Sequence, residues 1–225
     1  MPPPNTVTGK LDSFDSVRHL VRISAAIAGA DEITTREVME AALGSVDPQA
    51  VDEVILQSYL FAGFPRALNA ARSWRAISGE AAPSEDESAQ LKNGALWERQ
   101  GEETCEIVYG ESYQLLRENI RKLHPALDAW MITDGYGKVL SRPQLDLQTR
   151  ELCIVAACAA TGQQRQLHSH LHGALNSGVP HETLSSAIDA LGSLIGEVQL
   201  ARCRSLLSHV LSKRHPPKDP ATASH

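Results

Sequence analysis

Residues 146–180, DLQTRELCIVAACAATGQQRQLHSHLHGALNSGVP, decide the fold. Asp146 is a good N-cap for a helix over residues 147–160, and this helix is apolar on all sides after its first turn, so we expect it to be buried. A second helix is predicted over residues 164–176, with a glycine just past its end, and a proline opens a third helix over residues 180–195. These three consecutive helices indicate an all-helical C-terminal part.

The composition favours the same fold class. The 225 residues are 42% hydrophobic and 4% aromatic, and the β-branched and aromatic runs typical of strands are scarce, so an all-α protein is predicted. Lys and Arg number 21 against 27 Asp and Glu, and the net charge of −6 argues against a nucleic-acid partner. The longest apolar run, residues 152–160, is about half of what a membrane-spanning helix needs, so no membrane partner is expected.

Two features bear on the compartment. The first ten residues, MPPPNTVTGK, lack the charged and apolar regions of a secretory signal. The four cysteines, Cys105, Cys153, Cys158 and Cys203, show no metal or redox spacing. We therefore expect a reducing compartment, the cytoplasm.

Three stretches poor in apolar residues divide the chain. Residues 1–11 and 213–225 are predicted to be disordered tails, and residues 78–93 an unstructured linker, because they bury too little apolar surface to offset chain entropy. The linker leaves an N-terminal part, residues 12–77, and a C-terminal part, residues 94–212.

The N-terminal part also has a helical pattern. Apolar residues recur at helical spacing over residues 14–28, and a helix capped by a threonine is predicted over residues 34–43. A third helix starts near residue 48 and is interrupted by Gly63 and Pro65.

The two parts resemble each other. LVRISAAIAG at 20–29 parallels LCIVAACAATG at 152–162, and AALGSV at 41–46 parallels ALNSGV at 174–179, at offsets of 132 to 133 residues. This regular offset predicts a duplicated helical unit.

The buried helix begins with two ionisable residues, Arg150 and Glu151. A partly desolvated glutamate beside a cation or histidine can act as a general acid or base. Alternatively, the glutamate only complements the helix dipole and the arginine reaches water.

The next helix carries His168, His170 and His172. Because His170 points away from the other two, the three cannot converge on one metal ion, and no metal site is predicted. His170 shares a face with Gln166, which suits a ligand site. A hydrogen-bonded core histidine is the alternative.

The connection before the buried helix carries a further arginine. Residues 123–133 are predicted to form a helix that ends at Asp134 and Gly135, after which the chain delivers Arg142 next to the buried helix. Arg142 can clamp a carboxylate of a ligand or bridge to Asp146.

These segments resemble the carboxymuconolactone decarboxylase family. The family's typical runs are similar to VYGESYQLL (108–116), LHPALDAWMITDGYGKVLSRPQLDLQTREL (123–152) and QLHSHLHGALNSGVPHE (166–182). The N-terminal part looks like a degenerate second copy without a histidine at the position of His170. The resemblance implies an all-α, alkylhydroperoxidase D-like fold with two tandem helical repeats, and a homo-oligomeric ring that for a two-copy chain is a trimer.

The resemblance also implies a chemistry. The family's substrate is a small carboxylated lactone, γ-carboxymuconolactone, and no cofactor is required because the conjugated lactone accepts the electrons itself. By resemblance, His170 is the proton donor and Glu151 its partner acid or base. Arg142 and Arg150 are candidate carboxylate or oxyanion contacts, and Gln166 a donor to the lactone oxygen.

Two other functions remain open. A non-catalytic or regulatory ring protein of the same fold is the first. The second is a thiol peroxidase using Cys153 or Cys158, but Gln163 and Gln166 stand where the peroxidase branch has its thiol pair.

Overall fold

The computed structural model describes residues 14–214, so the predicted N-terminal tail and residues 215–225 of the predicted C-terminal tail lie outside it. Within that range every regular element is helical, which confirms the all-α prediction. The helices are α1 (Phe14–Gly29), α2 (Glu32–Glu40), α3 (Pro48–Ser78), α4 (Gly94–Tyr109), α5 (Tyr113–Leu123), α6 (Pro125–Trp130), a π-helix (Met131–Leu140), α7 (Leu147–Ala160), α8 (Gln164–Asn176), α9 (His181–Asp189) and α10 (Gly192–Arg214).

Helices α1 and α7 form the centre of the core. All residues from Thr149 to Ala159 are buried. The apolar pattern of α7 predicts this from residue 152 onward, whereas Arg150 and Glu151 are fully buried and not at the edge of the core. The two helices approach closely: Ser24 Oγ donates to the carbonyl of Cys153 at 2.7 Å, and a Cβ on Gly29 would lie 3.0 Å from Ala160 Cβ. Helices α2, α3, α8, α9 and α10 pack against this pair, whereas α4 packs against the π-helix and α8. No helix over residues 14–214 is long and apolar enough to cross a membrane.

The N-terminal helices follow the predicted order with one change of cap. Asp31 caps α2 by accepting from the backbone N–H of Thr34 at 2.8 Å, so the prediction of a threonine cap is wrong. The break predicted in α3 is confirmed, because Gly63 leaves helical geometry with φ 79° and ψ 161°. Helix α3 therefore bends at this residue.

A matching break occurs in α10. Gly196 has φ 73° and ψ 158°, nearly the conformation of Gly63, and lies 133 residues further along the chain. The third helix predicted over residues 180–195 ends earlier, at Asp189, so that boundary is wrong. The duplicated origin of the two parts stays a prediction.

The π-helix is the largest departure from the predicted elements. The helix expected to stop at Gly135 continues to Leu140 with a wider turn. Its packing against α4 supplies the reason: a Cβ on Gly137 would collide with the Trp97 carbonyl, and one on Gly101 with the Ile132 carbonyl. Two glycines thus let the backbones touch, a contact that local signals do not report.

Residues 86–93 contact the body and Ser78 belongs to α3, so the prediction of an unstructured linker over residues 78–93 is wrong for these positions. Two short 3₁₀ turns lie in this segment, and Asp86 pairs with Arg142 at 3.0 Å. Trp97 Nε1 donates to the carbonyl of Ser88 at 3.0 Å. These polar contacts replace the apolar burial that the segment lacks.

Candidate active site

Helices α7 and α8 bring Glu151 and His170 together. His170 Nδ1 lies 2.9 Å from Oε2 of Glu151, and the two side chains are 8% and 0% exposed. The pair is therefore a buried hydrogen-bonded dyad. Because Nδ1 is engaged by the carboxylate, the imidazole has Nε2 left for another partner.

A glycine makes room for the carboxylate. A Cβ on Gly173 would lie 2.6 Å from Glu151 Oε2 and 2.7 Å from Val108 Cγ1. Any larger residue would push the carboxylate away from His170. Space for the dyad is thus built into α8 one turn beyond the histidine.

The other carboxylate oxygen of Glu151, Oε1, is buried and has no hydrogen-bond partner in the described chain. An unsatisfied buried acceptor costs on the order of 1–3 kcal/mol, more for a charged group. Such groups are rare in native structures and concentrate at functional sites. The dyad therefore holds an acceptor that the fold itself does not use.

His170 lines a cavity of about 690 Å³ between the N-terminal and C-terminal parts. The other lining residues are Tyr59, Leu60, Phe61, Phe64, Tyr109, Leu127, Trp130, Met131, Asp134, Gly135, Tyr136, Lys138 and Leu140. The chain has ten aromatic residues (three Phe, three Trp and four Tyr), and six of them line this cavity. An apolar cavity with a few polar groups is the usual form of a small-molecule site.

Two tyrosines in the cavity wall, Tyr109 and Tyr136, have phenol groups that stay protonated. Burial raises the pKa of Tyr109 to about 12, and the nearby Glu151 charge adds to this effect. Burial also raises the pKa of Tyr136 well above its ordinary value. Both phenols therefore keep their protons at neutral pH, and because they hydrogen-bond each other, one hydroxyl hydrogen of the pair is left for a ligand.

The charged residues of the wall are Lys138 and Asp134. Their closest atoms, Nζ and Oδ1, are 3.9 Å apart, and both side chains are partly exposed. Lys138 also lies over the ring of Trp97, 5.0 Å from its centroid. The lysine is thus held at the wall without a tight ion pair.

The two predicted arginine contacts are not in this wall. Arg142 makes a bidentate ion pair with Glu53 at 2.7 and 2.8 Å, and Arg150 Nη2 bonds the same carboxylate at 2.7 Å. Arg150 is fully buried and also donates to the Leu145 carbonyl at 3.0 Å. Glu53, about a hundred residues away in sequence, therefore occupies both guanidinium groups.

The ionisation of Glu53 reflects this enclosure. Burial opposes its charge, but the hydrogen bonds and charges of Arg142 and Arg150 outweigh burial and lower its pKa. Asp86 also pairs with Arg142 at 3.0 Å, so the cluster has two acids and two arginines and joins α3 to the start of α7.

The remaining predicted site residue, Gln166, is exposed and does not line the cavity. His168 and His172 lie on another face of α8, with ring centroids 4.9 Å apart. Over residues 14–214 no group of three or more His, Cys, Asp or Glu side chains could hold a metal ion.

All four cysteines are free and buried. Burial raises the pKa of Cys158 to about 12 and that of Cys153 still further. These thiols therefore lack the exposure and the lowered pKa of reactive cysteines.

Sequence reasoning found the dyad but missed most of the cavity wall. The segment YLFAGF at residues 59–64 concentrates three aromatic residues in a chain that is only 4% aromatic. That clustering next to the break at Gly63 was an available signal. Lys138 carried none, because a lysine in a helical segment is most often solvated.

Comparison with known proteins identifies the family of this chain. The model of the carboxymuconolactone decarboxylase family matches residues 125–203, a range that includes Glu151 and His170. The 4-carboxymuconolactone decarboxylase of Acinetobacter baylyi is 31% identical over 91 residues, which cover 40% of this chain and 68% of the relative. The chain belongs to the carboxymuconolactone decarboxylase family. The family predicted from the motifs is thereby confirmed.

Two yeast relatives match more of the chain. Peroxisomal protein 2 of Schizosaccharomyces pombe is 29% identical over 192 residues, 81% of this chain and 88% of the relative. Peroxisomal protein 2 of Saccharomyces cerevisiae is 26% identical over 170 residues, 64% of this chain and 60% of the relative. These two relatives therefore match a larger share of the chain than the bacterial decarboxylase does.

Proposed function

We propose that the protein is a cofactor-independent decarboxylase that acts on a γ-carboxymuconolactone-like substrate, a small carboxylated lactone, or on a related enolisable acid. The observation that carries the proposal is the buried His170–Glu151 dyad at the wall of the cavity. Family membership and the A. baylyi relative's name support the reaction class.

The chemistry needs only the groups of the cavity. When the bond to the carboxylate breaks, carbon dioxide leaves and its electron pair spreads into the conjugated lactone as an extended enolate. Protonated His170 delivers a proton from Nε2 to carbon, while Glu151 orients the ring and stabilises the imidazolium. The phenol pair of Tyr109 and Tyr136 is better placed than Gln166 to donate to the enolate oxygen, because both tyrosines line the cavity.

The test is carbon dioxide release from γ-carboxymuconolactone by the wild type and by His170→Ala. We expect the variant to lose about 10²–10⁴-fold in turnover, the usual contribution of a positioned acid or base. His168→Ala, on the same helix but away from the cavity, is the matched control and should keep full turnover. Equal turnover by His170→Ala would refute the proposed role.

A non-catalytic ring protein of this fold is the second candidate. At the offset of 133 residues, Glu151 and His170 correspond to Arg18 and Glu37, so the N-terminal part has no equivalent dyad. The relatives that span most of the chain are named for a location and not for a reaction. A folded wild type that releases no carbon dioxide from any carboxylated lactone would favour this candidate.

The thiol peroxidase remains the least favoured candidate because all four cysteines are buried. Peroxide consumption by the wild type above the level of a Cys153→Ala, Cys158→Ala double variant would revive it.

We also propose that the chain forms a homo-oligomer, a trimer if it holds two copies of the helical unit. Large exposed apolar side chains such as Ile33, Leu91, Leu123 and Val198 support an assembly. Light scattering on the purified chain measures the number of subunits.

The compartment is a separate proposal. Buried free cysteines are consistent with the reducing cytoplasm, whereas two relatives are named as peroxisomal. Imaging of a tagged full chain distinguishes the two locations. The expected partner in either place is a small organic acid, with no nucleic acid or membrane involved.

A further inference from the structure

The wall of the cavity is mostly apolar, whereas a compact polyanion needs polar or cationic partners. Six of the chain's ten aromatic residues lie there, together with three leucines and a methionine. Phe64 and Trp130 at its rim are 63% and 61% exposed, so apolar surface continues from the interior to the mouth. Such a wall favours the binding of an apolar ligand body, because binding removes apolar surface of both from water.

The charge of the same wall accommodates one anionic group. Apart from His170, Lys138 is the cation among the residues that line the cavity. Arg142 and Arg150, which could have met a second carboxylate, are bound to Glu53. Asp134 lies beside Lys138 and would repel a second negative charge.

We propose that the cavity binds a monocarboxylic acid with an extended aliphatic or aryl body, in preference to a compact dicarboxylate. Lys138 pairs with the single carboxylate, and the body packs on aromatic residues such as Phe61, Phe64 and Trp130. A second carboxylate would lose its hydration against the apolar wall without gaining a cationic partner. This inference rests on the proposed function in taking the cavity at His170 as the substrate site. Because γ-carboxymuconolactone is itself a compact dicarboxylate, the inference narrows the proposed substrate to a related enolisable acid that has one carboxylate and a larger apolar body.

Unreactive acids test the preference without requiring turnover. Octanoate and suberate have the same chain length and differ only in that suberate has a carboxylate where octanoate has a methyl group. We expect calorimetric titration of the wild type to show octanoate binding at least tenfold more tightly. Within the series from butyrate to octanoate, each added methylene should raise affinity about two- to fourfold.

Two variants with opposite expected effects on octanoate affinity test whether Lys138 contacts the ligand carboxylate. Lys138→Met should weaken octanoate binding about tenfold and leave the binding of neutral octanamide unchanged. Asp134→Asn removes the competing charge and should strengthen octanoate binding a few-fold. Neither residue belongs to the dyad.

The outcomes separate this inference from the decarboxylase proposal. Suberate binding as tightly as octanoate, no octanoate binding by the folded wild type, or an unchanged affinity in Lys138→Met would each overturn the inference. If the preference holds in both the wild type and His170→Ala but no carboxylated substrate is decarboxylated, the inference stands and the proposed reaction fails.

Discussion

Two buried carboxylates, Glu53 and Glu151, differ in how completely their oxygens are hydrogen-bonded. Both oxygens of Glu53 accept from guanidinium groups, of Arg142 and Arg150. Glu151 has one oxygen on His170 and the other unpartnered. The first cluster is electrostatically complete, whereas the second pairs a carboxylate with a titratable ring at a cavity wall.

The difference separates stability from chemistry. A buried charge whose partners are complete holds elements together and has nothing left for a ligand. A buried charge with incomplete partners costs stability, and this cost is typical of sites that move protons. Arginines near the start of α7 therefore look like ligand contacts in the sequence but serve the fold in the structure.

The largest effect is expected when Glu53 is removed from its ion-pair cluster with Arg142 and Arg150. Glu53→Gln leaves the fully buried Arg150 guanidinium without a counterion and Arg142 with only the partly exposed Asp86, and should lower the free energy of unfolding by about 3–5 kcal/mol. Asp52→Asn is the matched control: its pair with Arg75 is partly exposed, so about 0–1 kcal/mol is expected. Urea unfolding measures both, and similar losses in the two variants would contradict the comparison.

The next largest effect is expected when Glu151 is replaced in its dyad with His170. Glu151→Gln removes an under-partnered buried charge, so the free energy of unfolding should change by less than about 1 kcal/mol or increase. The rate of substrate decarboxylation should fall about 10²-fold, because His170 loses the group that stabilises its charged form. A variant that is both active and strongly destabilised would assign Glu151 to the fold.

A smaller effect comes from the space beside the dyad. Gly173→Ala places a methyl group 2.6 Å from Glu151 Oε2 and should cost about 1–3 kcal/mol of stability while reducing turnover. The control is Gly94→Ala, where nothing lies within 4 Å of the new Cβ. That variant should be neutral or slightly stabilised, since alanine favours helix. Thermal unfolding together with turnover tests the pair.

The smallest effect concerns pH. The pKa of Glu53 is lowered in the folded protein, so its contribution to stability is present above the ordinary pKa of 4.5 and is lost as the pH falls through the lower folded-state value. The difference in stability between the wild type and Glu53→Gln should therefore shrink below about pH 4. Urea unfolding at a series of pH values measures it; a constant difference would contradict the lowered pKa.

Prediction from sequence succeeded where the signals are local. The bounds of α7 and α8 were predicted correctly because the Asp146 cap and Gly178 lie within a few residues of the ends they set. The π-helix was missed because its cause is the close packing of Gly101 and Gly137 between distant segments. Residues 86–93 were misjudged because polar contacts such as the Asp86–Arg142 ion pair, and not apolar burial, hold them against the body.

The sequence by itself determined that the chain is helical, which family it belongs to, and that Glu151 and His170 stand at neighbouring helices, because caps, periodicity and motif spacing are properties of nearby residues. Only the tertiary structure decided that Glu53 takes both arginines and that residues 59–64 and the π-helix close an aromatic cavity around His170. Ion-pair partners and cavity walls come from segments about a hundred residues apart, and which of them meet is settled by packing alone.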